Sequence, residues 1–248
     1  MTAHPRFLPA LRGLRFTVGM LISALGVVGG AGLPRAPQAV GARYWVDLFE
    51  TRYRSARTSD ATFLEQYLDN GQPTRTEAGT AYFLRPDKMR WDYQSPEKHL
   101  FLVDGKKAWF YVPEDHTVTR VAAKQSTDLR TPLALLAGEM KVSRVCSQVE
   151  LETSERPQAD QDVMLRCSLR GAGRSPAAPG SVVFFEIARA TGDLSRLVVQ
   201  QTGGIRIELR FENWRINPPL SDAMFRFDLP PGVAIVNGEL PGGDSAVK

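Results

Sequence analysis

Between Gly79 and Arg120, short apolar runs built on aromatic residues are broken at close intervals by turn signals. Within Lys88 to Tyr93, Met89, Trp91 and Tyr93 alternate with Lys88, Arg90 and Asp92. That period of two belongs to a β-strand with one apolar and one wetted face. Arg85-Pro86-Asp87 and Asp104-Gly105 supply the reversals, because proline presets its own φ and glycine takes positive φ without steric cost. Antiparallel sheet follows, with an apolar face stocked with large, flat or flexible side chains.

The same pattern runs through most of the chain. Predicted strands are Thr62 to Leu68, Thr76 to Leu84, Lys88 to Tyr93, His99 to Val103, Ala108 to Val112, Thr117 to Ala122, Lys141 to Leu151, Val163 to Leu169, Val182 to Ala188, Leu194 to Gln201, Ile205 to Asn213 and Phe225 to Leu229. Hairpin signals such as Thr191-Gly192-Asp193 and Thr202-Gly203-Gly204 separate them. A dozen such segments predict a large, strongly curved antiparallel sheet or barrel. Helices are few. Trp45, Leu48, Phe49, Tyr53 and Ala56 recur at helical spacing within Tyr44 to Ala56. Thr127 to Ala137 has Ser126 or Thr127 as N-cap, Gly138 as stop and Pro132 as a bend, with Leu129, Leu133 and Leu136 on one stripe. A short helical turn is expected near Leu220 to Ala223.

The first residues are of another kind. Arg6, Arg12 and Arg15 open the chain, and Phe16 to Pro34 then carries no charge, ahead of the small residues Val40-Gly41-Ala42. This reads as a cleavable secretory signal over residues 1–42, followed by one domain over 43–236 and a flexible, Gly-rich tail over 237–248. An uncleaved anchor is the rival, but five glycines between Gly19 and Gly32 dilute the stretch. No cysteine precedes Cys146, so a lipidated N-terminus has no acceptor, and the exported protein is expected to be soluble. Four of the 31 basic residues lie in residues 1–42, leaving 27 against 27 acidic ones. The exported part is thus near neutral, which argues against a nucleic-acid partner.

Cys146 and Cys167 fall in two consecutive predicted strands. Export permits a disulfide. Cys146, however, alternates with Arg144, Gln148 and Glu150, whereas Cys167 alternates with Val163, Leu165 and Leu169. A register that pairs the apolar faces would separate the two sulfurs unless a bulge intervenes, so a bridge and two free thiols both stay open.

Catalytic signatures are missing from the sequence. His99 and His116 have no partner at metal-ligand spacing, and neither a G-x-S-x-G elbow, a phosphate-cradling loop nor an H-E-x-x-H occurs. No enzyme activity, metal or cofactor is expected. The apolar sheet face has two readings: Met89, Trp91, Phe101, Trp109 and Tyr111 fill a core, or they line a cavity. The second draws on the scarcity of helices able to cover so large a sheet.

The runs G-T-A-Y-F-L-R-P-D-K-M-R-W-D-Y at 79–93, D-G-K-K-A-W-F-Y at 104–111, T-P-L-A-L-L at 131–136 and F-R-F-D-L-P-P-G-V at 225–233 resemble, in the same order, the LolA family of periplasmic lipoprotein carriers. The resemblance implies a mainly β fold, an unclosed antiparallel β-barrel of about eleven strands with a helical lid over a hydrophobic cavity for acyl chains. It implies acylated lipoproteins as cargo, received from an inner-membrane lipoprotein-releasing ABC transporter and delivered to an outer-membrane lipoprotein receptor by a monomeric periplasmic carrier. Arg85 falls where the family places an arginine that hydrogen-bonds to lid backbone in the closed, empty state. Met89, Trp91, Phe101 and Trp109 are then candidate lipid-binding residues of the sheet, Leu129, Leu133 and Leu136 those of the lid, and Trp45, Leu48 and Phe49 those of the first helix. A cysteine pair and the long loop Gly171 to Gly180 depart from the family pattern. Burying one methylene is worth about 0.8 kcal/mol, so a sixteen-carbon chain represents about 12 kcal/mol, which forbids unaided crossing of water. Two other classes compete with the carrier: a lipid-sensing regulator on the same fold, which would usually add a second domain, and a lipid-modifying hydrolase, which needs a nucleophile with a base in reach.

Overall fold

The computed structural model describes residues 40–123, 133–138, 141–170 and 182–237. Among them a helix, α1 (Ala42–Arg54), precedes eleven of twelve strands in turn: β1 (Thr58–Asp69), β2 (Gln72–Leu84), β3 (Lys88–Ser95), β4 (His99–Asp104), β5 (Lys107–Val112), β6 (Thr117–Ala122), β7 (Cys146–Leu151), β8 (Val163–Leu169), β9 (Val182–Ile187), β10 (Leu194–Gln200) and β11 (Ile205–Ile216). Two four-residue helices, α2 (Ala134–Ala137) and α3 (Val142–Val145), stand between β6 and β7, and β12 (Ala234–Asn237) closes the described chain. The strands form one sheet in the order β12-β6-β5-β4-β3-β2-β1-β11-β10-β9-β8-β7. Its ends do not meet, so the barrel is unclosed.

Ten of the neighbouring pairs are antiparallel, and the pair β12–β6 is parallel. The β1–β2 hairpin turns through Asn70-Gly71, both at positive φ (48° and 81°), with Asp69 opposite Gln72; an Asn-Gly pair suits the tight turn that matches strand twist.

Alternation sorts the side chains. One face, here the inner face, carries Ala61, Phe63, Ala81, Phe83, Met89, Trp91, Tyr93, Phe101, Leu209 and Phe211 into a single buried cluster with α1. Trp91 on β3 and Phe211 on β11 lie 6.0 Å apart between ring centroids. Three strand spacings separate those strands, about 14 Å in a flat sheet, so the sheet curls around the cluster. Gly79 is one point where the curl leaves no room. A β-carbon there would stand 2.0 Å from the Asp92 carbonyl oxygen and 3.0 Å from Phe63, beside a register shift between Ala78 and Gly79.

The outer face holds an ion network instead. Arg196, 4% exposed, bonds from Nε to Glu186 at 2.7 Å and from Nη2 to the Arg156 carbonyl at 2.8 Å. Arg206 joins Glu155 and Glu208, each at 2.7 Å. This lashes the loop after β7 to the back of β9–β11. Removing one partner of such a buried pair costs more than the pair itself contributes.

Several expectations are corrected. Phe225–Leu229 is no strand: a 3-10 turn, Asp222–Phe225, ends there, and Phe225 and Phe227 pack on the outer face against Leu102 and Trp109 without joining the ladder. The final strand is Ala234–Asn237, so Asn237 belongs to the sheet rather than to a tail. Lys141–Leu151 splits into α3 and β7. Trp109 does not face inward. Phe101 pairs with Phe110, which sends Ala108 and Phe110 in and Trp109 out, where it stacks on Phe227 at 5.0 Å and donates to Asp104.

Cys146 and Cys167 are bonded, with Cα atoms 5.5 Å apart. Cys146 opposes Leu169 while Cys167 opposes Val149, and the register shifts between Cys146 and Gln148. Because Cys146 caps α3 rather than sitting mid-strand, the shift turns it to the buried side that Cys167 occupies, which removes the objection from alternation.

Replacing Gly79 by Ala is expected to destabilise the protein by about 3 kcal/mol, at the upper end for overpacking, since the clash is with backbone. Chemical denaturation measures it, and an unchanged midpoint would mean that β2 and β3 can part at no cost.

Candidate functional site

The inner face is a bed of rings. Trp91 meets Phe63 at 4.8 Å and Phe83 at 6.0 Å, both edge-on, and Phe83 stacks with Trp214 at 6.1 Å. Such contacts add about 0.5–1.5 kcal/mol per pair beyond area burial. Strand alternation delivers Phe63, Phe83 and Trp91, each two residues from another inward side chain, whereas Trp214 reaches the bed through the irregularity at Asn213 (φ 56°).

A cover lies over the bed. From α1, Trp45, Phe49 and Tyr53 are buried, and Phe49 packs on Phe185 of β9 at 6.2 Å. From the segment before β7, Leu133, Leu136 and Ala137 are buried in the same cluster. Leu48 is half-buried and rests against the β9–β10 turn, where a β-carbon on Gly192 (φ 77°) would stand 3.0 Å from the Leu48 carbonyl oxygen.

Polar bonds pin α1 at its flanks. Arg52 Nε donates to Asp193 at 2.6 Å. The Leu194 backbone N–H donates to the Tyr53 hydroxyl at 3.1 Å, and the Val142 N–H donates to Glu50 at 2.8 Å. Burial pushes the Tyr53 phenol well above its ordinary pKa, with the Leu194 N–H pulling the other way.

One turn touches both pieces of the cover. Between β2 and β3, Arg85 Nη1 donates to the Arg54 carbonyl at 2.7 Å, at the C-terminal end of α1. Two residues on, the Asp87 N–H donates to the Ala137 carbonyl at 2.9 Å. Asp87 holds φ at 57°, a left-handed conformation that aspartate tolerates better than most residues. A guanidinium suits the end of a helix, where carbonyls lack intrahelical partners. Burial lowers the Arg85 pKa, and its Nε and Nη2 have no acceptor among the described residues.

Further along β1 to β4 the inner face becomes polar. Glu65, fully buried, accepts from the Tyr67 hydroxyl at 2.9 Å and from the Tyr93 hydroxyl. Glu77 stands directly opposite Glu65 in the ladder, with Arg75 at 3.3 Å and His99 at 3.7 Å. His99 stacks on Tyr93 at 3.9 Å. A cleft of about 540 Å³ lies elsewhere, beside the β2–β3 turn, lined by Arg57, Lys88, Asp222, Pro218 and Leu220 among others. Its charges make it a poor host for hydrocarbon.

The predicted site residues thus divide. Met89, Trp91, Phe101, Trp45, Phe49, Leu133 and Leu136 share the inner cluster, with Leu48 at its margin. Trp109 is on the other face, and Leu129 lies outside the described residues. Phe63, Phe83, Phe185, Phe211 and Tyr53 belong to the bed or its cover and were not singled out from sequence. The period of two through β1, β2 and β11 was the signal that could have found the strand residues among them.

Comparison with known proteins adds the lineage. The profile of the family described as "Outer membrane lipoprotein carrier protein LolA" matches residues 54–171. The chain is similar to an outer-membrane lipoprotein carrier protein of Nitrosomonas europaea, 30% identical over 196 residues that cover 77% of this chain and 88% of that one. This chain belongs to the LolA family. A relative of the same name from Xanthomonas axonopodis pv. citri is 29% identical over 205 residues, covering 79% of this chain and 88% of that one. Among solved structures, an uncharacterized conserved protein from Thermus thermophilus shares the fold at 15% identity, with a TM-score of 0.50 over 79% of this chain and 99% of that one.

Tyr53→Phe leaves the buried Leu194 N–H without its acceptor, an expected loss of about 1–3 kcal/mol. The wild-type contribution from the neutral phenol is complete below about pH 10, where an unfolded tyrosine ionises, and is lost as pH rises through the higher folded pKa. Denaturation curves at neutral and alkaline pH should therefore show a smaller alkaline decline in the variant. Identical curves would remove Tyr53 from the account of how α1 is held.

Proposed function

We propose that this protein is a periplasmic carrier that moves lipoproteins by sheltering their acyl chains, and that it acts by binding rather than by catalysis. Its cargo comes from an inner-membrane ABC transporter and goes to an outer-membrane receptor, with the carrier acting as a monomer. Residues 1–42 serve as the export signal and 43–236, extended to Asn237 by β12, as the carrier domain, although α1 already begins at Ala42. Membership of the LolA family supports the reading, as does the common name of its relatives. The single observation that carries it is the tie from one turn to both pieces of the cover, through Arg85 to Arg54 and through Asp87 to Ala137.

The arrangement is a closed one, with the cover packed on the rings. Ring bed and cover fill each other's space, so room for acyl chains comes from lifting the cover, which breaks the Arg85 bond. Moving a chain from a bilayer into such a bed exchanges one apolar environment for another, and the transfer is close to level in free energy. No energy source is then needed in the carrier itself. Cargo release is favoured by closure, since the cover regains its contacts with the rings and the arginine regains a carbonyl.

Native mass spectrometry of the protein taken from the periplasm is expected to reveal bound acylated species, and a fluorescent fatty-acid probe should bind and be displaced by lipoprotein. Absence of both would overturn the carrier reading. Arg85→Leu removes a charged hydrogen bond worth about 1.5–3 kcal/mol, which shifts the closing equilibrium by about tenfold or more. Backbone amides of Ala137 and of the end of α1 should exchange faster in the empty variant, and transfer of bound lipoprotein to an acceptor should slow. Transfer at the wild-type rate would mean that Arg85 is not a latch.

A further inference from the structure

We propose that the indole N–H of Trp91 recognises an ester or amide carbonyl at the head of the cargo's acyl chains, giving an otherwise apolar bed one polar point of reading. The inference rests on the carrier function proposed above and adds to it what part of the cargo is sensed. Trp91 is 0% exposed, and its Nε1 has no acceptor among the described residues. Its ring contacts are Phe63, Phe83 and Phe211, and its partners across the ladder are Ala81 and Phe101. The Phe63 ring, inclined at 62° to the indole, can offer only a weak N–H···π contact.

Two other indoles of the described fold are treated differently. Trp109 donates to Asp104 at 3.0 Å and Trp214 to the Leu194 carbonyl at 2.8 Å. A buried donor left alone is costly, and a phenylalanine at position 91 would fill similar space without that cost. The missing acceptor therefore points to a ligand. Saturated chains carry none, and the acceptors that an acylated cysteine brings into an apolar bed are the carbonyls of its ester and amide linkages.

Position along the strand agrees. On one side of Trp91 on the inner face of β3 is Met89, opposite Val103, and on the other is Tyr93, opposite His99. The Tyr93 hydroxyl is already committed to Glu65. Trp91 thus marks the boundary between hydrocarbon-like and polar surroundings, which is where the head of a chain belongs, with its tail along Met89 and Phe83.

The test compares two probes on the full chain: a tripalmitoylated cysteinyl lipopeptide, which has the carbonyls, and hexadecylpyrene, which has none. Trp91→Phe should weaken lipopeptide binding about three- to tenfold more than it weakens hexadecylpyrene binding, the difference being the value of one net hydrogen bond. In the wild type, which needs no variant to fold, the Trp91 indole ¹⁵N–¹H resonance should move downfield with the lipopeptide and not with hexadecylpyrene. If the wild type binds both probes but the variant weakens both equally or neither, or if the indole resonance ignores the lipopeptide, the inference is overturned while the carrier function stands. Failure of the wild type to bind the lipopeptide at all would overturn both.

Discussion

A sheet that does not close on itself cannot bury its own inner face, and everything else in this fold answers to that constraint. Each large ring taken from water is worth about 1.5–3 kcal/mol, and Phe83, Trp91, Phe101 and Phe49 are all essentially unexposed. Their burial dominates the energy of closure. The single Arg85 bond to the Arg54 carbonyl is of the size of one ring. It cannot hold the cover down by itself; under the function proposed above, it sets the balance between closed and open states whose apolar terms nearly cancel once acyl chains replace the cover.

The cover is held unequally, and this shapes how it can move. Arg52, Tyr53 and Glu50 bind α1 to the β9–β10 turn and to α3, and the close approach of Leu48 to Gly192 leaves little slack. Against α2, by contrast, the β2–β3 turn offers, among the described residues, one backbone bond from Asp87. Among the described residues, parting α2 from that turn breaks fewer polar contacts than lifting α1, so lifting α1, which breaks the Arg85 bond, is the costlier step of opening. The disulfide works in the same sense, because it fixes the start of β7 beside α3, on which Glu50 leans.

Much of the sheet was legible because period-two alternation survives wherever one face is wet, as at Lys88 to Tyr93. It failed where both faces are apolar. Ala108-Trp109-Phe110-Tyr111 reads equally well in either phase, and only the pairing of Phe101 with Phe110 decides that Trp109 points outward. Phe225-Arg226-Phe227-Asp228-Leu229 alternates because an extended segment lies on the outer face, so alternation there reports burial on one side and not ladder bonds. Among the latch contacts, the Arg85 side chain was visible through family resemblance. The Asp87 bond to Ala137 was not, since it uses backbone groups that any residue could supply. The sign of the cysteine pairing hung on one register shift at the end of α3, a feature that composition does not encode.

The polar end of the inner face completes the logic of a carrier site. Two carboxylates directly opposite each other are unfavourable in a sheet, and a fully buried Glu65 would be costly without partners. The cost is met by Tyr67 and Tyr93 on Glu65 and by Arg75 and His99 on Glu77. Hydrocarbon gains nothing by entering such a network, because its polar groups already satisfy one another and would have to be separated to make room. Under the proposed function, the boundary between Trp91 and Tyr93 therefore limits how far acyl chains would spread along β3 and confines them to the stretch that the cover can reach. An entirely apolar face would bind chains more tightly but in many positions. In the proposed carrier, the polar end would trade some of that affinity for a defined seat, from which closure of α1 and α2 over the rings displaces the cargo.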